Sequence, residues 1–96
     1  MPARIDIKEL HNTHYNFQYD IIDILMNKWN GKPIIDSYYM EEHRQIADEI
    51  FCWMLQNING WVRKICLETK GGIMKYQLEF QNPEEATLFK LVWGGG

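Results

Sequence analysis

Three histidines and the acids near them are the residues of this chain best suited to chemistry. His11 and His14 flank Asn12-Thr13, and two imidazoles at that spacing reach one divalent cation where the backbone turns. Asp20, Asp23 or His43 would then supply the further ligand that a zinc site needs. His11, His14 and His43 are therefore the candidate metal ligands. The plainer alternative is a polar loop whose histidines cap or hydrogen-bond, since the glutamate of an HExxH pair is missing. His43, next to Glu42 and one turn from Tyr39, also sketches a general base, against a half-buried imidazole held by a hydroxyl or carbonyl.

Other reactive residues are less suggestive. Cys52 and Cys66 are too far apart for a CxxC pair; each is a conceivable nucleophile, but as cysteines on apolar segments they are expected to be reduced and buried. Asp20, Asp23, Glu41, Glu42, Asp48 and Glu49 suit either magnesium-dependent phosphoryl chemistry or a solvated helix face. No GxxxxGK[ST], GxGxxG or GxSxG is present, which excludes nucleotide chemistry by those routes. No cofactor is expected.

The composition limits what can position these side chains. Ninety-six residues are expected to form one domain, residues 1–93, followed by a flexible glycine tail at 94–96. A hydrophobic fraction of 46% with 24% charged residues marks a folded chain. The net charge of −3 gives no bulk positive field for nucleic acid or anionic lipid; Arg63, Lys64, Lys70 and Lys75 could form only a modest basic spot, and nucleic acid is not an expected partner. No window approaches a membrane span and the N-terminus has no signal-peptide pattern, so the expectation is a cytoplasmic protein off the membrane.

Hydrophobic periodicity sets the elements. Arg4 to Lys8 alternates, predicting a first strand with Ile5 and Ile7 inward. From about Asn16 to Trp29 the spacing is helical: Tyr15, Tyr19, Ile22, Leu25, Met26 and Trp29 form one stripe, and Phe17, Ile21 and Ile24 a second. Two stripes mean burial on two sides or a partner. A second helix is predicted from a cap at Asp36 or Ser37 to about Asn59, with Tyr39, His43, Ile46, Ala47, Ile50, Phe51, Met54 and Ile58 inward and Cys52, Trp53 and Leu55 widening its apolar surface. Residues 61–68 and 73–80 read as a hairpin around Gly71-Gly72, with Met74, Tyr76, Leu78 and Phe80 inward and Lys75, Gln77 and Glu79 toward water. Asn82-Pro83-Glu84-Glu85 starts a short helix, running to about Lys90, with Ala86 and Phe89 inward. Leu91-Val92-Trp93 then either forms an edge strand or completes that helix.

The segment from Lys75 to Trp93, KYQLEFQNPEEATLFKLVW, resembles the endings of small uncharacterised accessory proteins of T4-like, particularly marine, bacteriophages. In those a strand is followed by Asn/Asp-Pro-Glu/Asp-x-Ala-x-x-Phe and a short final strand. The resemblance covers about a fifth of the chain and implies a viral accessory protein in an infected bacterial cytoplasm, with no activity or functional residues to carry over.

The expected fold is α+β and ferredoxin-like, βα(α)ββαβ, with a mostly antiparallel sheet and helices packed on one face. The expected function is a non-enzymatic interaction or regulatory protein, a homodimer or a binder of a host protein. Its expected interface is Phe17, Ile21, Ile24, Trp53 and Leu55, helped by an unusual four tryptophans. The alternative is a metal-binding protein or hydrolase built on the histidines with Asp20 or Asp23.

Overall fold

The computed structural model describes residues 1–7, 19–35, 38–68, 70–72 and 74–94. Among them the order of elements is β1 (Ala3–Asp6), α1 (Tyr19–Trp29), α2 (Glu41–Asn57), β2 (Val62–Glu68), β3 (Met74–Phe80) and α3 (Pro83–Trp93). The class is α+β, with a three-stranded antiparallel sheet of order β1-β3-β2. The contacts divide the chain into two compact units, one holding the sheet and α3, the other α1 and α2.

In the sheet unit, β3 is central and the alternation along it does what the sequence predicts on one face. Val62 and Ala3 stand opposite Phe80, and Lys64 and Ile5 opposite Leu78; Ile5, Val62, Leu78 and Phe80 are all buried. Helix α3 packs on β1 and β3, and its Phe89 ring lies 5.2 Å from that of Phe80, tilted by 48°. Ala86 and Phe89 are buried as expected. The β2–β3 connection turns through Gly71 and Gly72, whose φ angles of 90° and 76° fall where a Cβ is disfavoured.

Two expectations for this unit are corrected. Leu91-Val92-Trp93 does not form a final strand: α3 continues through Trp93, and the Gly94 amide still donates to the Lys90 carbonyl at 2.8 Å. Three apolar residues after a good helix start are too short a signal to separate the two outcomes. Glu79, placed toward water by the alternation, is only 5% exposed, because arginines on both neighbouring strands lie against it.

The start of β2 is tied to the start of α3. The Gly60 amide and the Asn82 side-chain amide both donate to Oε1 of buried Glu85, at 3.0 and 2.9 Å, and the Trp61 amide donates to Gln81 Oε1 at 3.1 Å. Asn82 is the residue before the helix, but its side chain makes no cap bond to the helix backbone; it serves this junction instead. Gly60 fits because it has no side chain: a Cβ there would lie 2.9 Å from both Gln81 Cβ and Asn82 Nδ2. Gly60→Ala is therefore expected to cost about 1–3 kcal/mol of unfolding free energy, read by urea denaturation. An unchanged midpoint would contradict the close approach.

In the helical unit, α1 and α2 pack on each other. Ile21, Ile22, Ile24, Leu25 and Met26 are all buried, so the second apolar stripe of α1 belongs to the core of this chain. On α2, Ile46, Ala47, Ile50 and Met54 are buried, followed by Ile58 just beyond it. This helix starts at Glu41 rather than at Asp36 or Ser37, which lie outside the described residues; Glu41 and Glu42 complement the positive end of its dipole. Lys28 at the end of α1 is ion-paired with Asp48 of α2 and sits 5.9 Å from the Phe51 ring centroid. Trp29 meets Phe51 edge-on, with centroids 6.4 Å apart.

Candidate functional site

Of the predicted histidine and acid set, the helical unit brings together one pair. Asp20 in the first turn of α1 and His43 in the first turn of α2 approach to 3.7 Å, Oδ2 to Nδ1. The imidazole is largely covered, and its Nδ1 is buried without a hydrogen-bond partner. His11 and His14 lie outside the described residues. Among the described residues no group of three or more His, Cys, Asp or Glu side chains is placed to hold a metal ion.

The cysteines are not buried hydrophobes as expected: both are free and exposed. Cys52 lies on the outward side of α2 and Cys66 on the edge strand β2. On α2, nine residues separate His43 from Cys52, about 13 Å along a helix, well beyond the reach of a thiol–imidazole pair.

On the outer face of the sheet, β1, β3 and Arg63 of β2 form an ordered charge lattice, beside Ile65 and Leu67 of β2. Arg4 and Arg63 stand directly opposite Glu79 from β1 and β2. Arg4 Nε donates to Glu79 Oε2 at 2.8 Å, and Arg63 donates from Nε and a terminal nitrogen to Oε1, each at 2.5 Å. The Arg4 hydrogen bond, with Arg63 adding to it against the opposing effect of burial, holds the Glu79 carboxyl below the ordinary glutamate value. In the next row Asp6 accepts from Gln77 at 2.9 Å and pairs with Lys75 at 3.0 Å. The Arg63 guanidinium also lies over the Trp61 ring, 4.9 Å from its centroid.

That lattice dissolves the basic spot sketched from sequence. Arg63 and Lys75 are engaged with carboxylates on the outer face, whereas Lys64 points to the other face, its Nζ 4.7 Å from the Tyr76 ring centroid. Lys70 is exposed at the hairpin. Only the alternation of strand parity, with Arg63 and Lys64 adjacent, could have warned of this split.

No protein-family model, curated protein or solved structure matches the chain.

The predicted interface residues separate. Ile21 and Ile24 are 1% and 0% exposed, which places them in the core rather than on a docking surface, because the helix is covered on both of its apolar stripes. Leu55 is 61% exposed and Trp53 half-buried; Phe17 lies outside the described residues. A surface that sequence reasoning missed is on α3, where Leu88, Leu91 and Val92 are exposed at 39%, 75% and 44%. Their spacing of three and four residues is a helical stripe, hidden in the sequence by the expectation of a strand after Lys90. No helix of the described residues is long and apolar enough to cross a membrane.

Proposed function

We propose that this chain is a small non-enzymatic interaction module that acts as a homodimer. The observation that carries the reading is the apolar stripe Leu88, Leu91 and Val92, which the chain leaves uncovered on α3. Contiguous exposed apolar side chains are what interaction surfaces present. The sheet order, with β1 and β2 both antiparallel to β3, supports a ferredoxin-like arrangement in which α3 runs on through the residues expected to form a fourth strand. The resemblance of residues 75–93 to phage accessory proteins supports a bacterial cytoplasm as its setting, and a host protein as the other partner to consider. Light scattering after size exclusion tests the homodimer: the mass is expected to rise with concentration from 11.5 kDa toward twice that value. A mass of 11.5 kDa at every concentration overturns it.

A second reading, a metal-binding protein or hydrolase, has one observation behind it: the buried, unpartnered Nδ1 of His43 facing Asp20. In this reading that pair takes up zinc or manganese; His11 and His14, the other predicted ligands, lie outside the described residues. Added zinc or manganese would then raise the Tm of the untagged protein, and His43→Ala would abolish the rise. An unchanged Tm in the wild type removes the reading.

A further inference from the structure

We draw no further inference here: the strongest candidate, the exposed apolar stripe of Leu88, Leu91 and Val92 on α3, already carries the proposed function, and nothing in the structure shows what covers it.

Discussion

Phe89→Ala is expected to remove about 3–5 kcal/mol of unfolding free energy, the usual cost of deleting a fully buried phenylalanine. A domain of this size holds on the order of 5–15 kcal/mol in total, so the variant should lose a large share of its stability and unfold at a markedly lower urea concentration. The reasons are local to the sheet unit. Phe89 is fully buried on α3, its ring packs at 5.2 Å against the equally buried Phe80, and α3 contacts β1 and β3. Deleting the ring removes the contact that seats the helix and leaves a cavity beside the central strand. Phe89→Leu keeps most of the volume and should cost less. Urea denaturation followed by circular dichroism distinguishes the two. A loss below ~1 kcal/mol for the alanine variant would mean that α3 is not seated as described.

The second large effect is expected in acid. Glu79 is held below its ordinary carboxyl value, near 4.5, chiefly by the hydrogen bond from Arg4, with Arg63 adding to it and burial opposing. A carboxyl depressed by folding stabilises the native state wherever it is ionised in both states. That contribution is complete above the unfolded value and lost as pH falls through the lower folded value. Stability should therefore be flat with respect to this group near neutrality and decline below about pH 4.5. Glu79→Gln leaves two arginines facing each other across a neutral amide, so it should lower the Tm at pH 7 and flatten the acid decline. Equal acid slopes in wild type and variant would show that the Arg4–Glu79–Arg63 row is not formed in solution.

Particular residues show why some of this was legible in the sequence and some was not. The alternation of Tyr76, Leu78 and Phe80 with Lys75 and Gln77 reports strand and face directly, because pleating makes a two-residue period local information. Glu79 obeys the same alternation and is nonetheless buried, since its covering arginines come from positions 75 and 16 residues away in the chain. Burial of that kind is a property of strand order. Ile21 and Ile24 illustrate a different limit: a helix apolar on two stripes looks the same whether its own chain or a partner covers the second one. The candidate site is divided in the same way. Helical spacing placed Asp20 and His43 near the starts of their helices, but the approach of the two depends on how α1 and α2 cross, and the predicted contributions of His11 and His14 fall outside the described residues. The stripe on α3 was concealed by reading Leu91 to Trp93 as a strand, which would have turned these side chains alternately to opposite faces.

The central claim, an interaction module that acts as a homodimer and leaves the α3 stripe of Leu88, Leu91 and Val92 open to a partner, is tested most directly by light scattering of the wild type and of Leu91→Glu across a wide concentration range. The wild-type mass should rise from 11.5 kDa toward twice that value, while Leu91→Glu, which sets a charge in the apolar stripe, should stay at 11.5 kDa. A wild-type mass of 11.5 kDa at every concentration, or a dimer unchanged by Leu91→Glu, would contradict it.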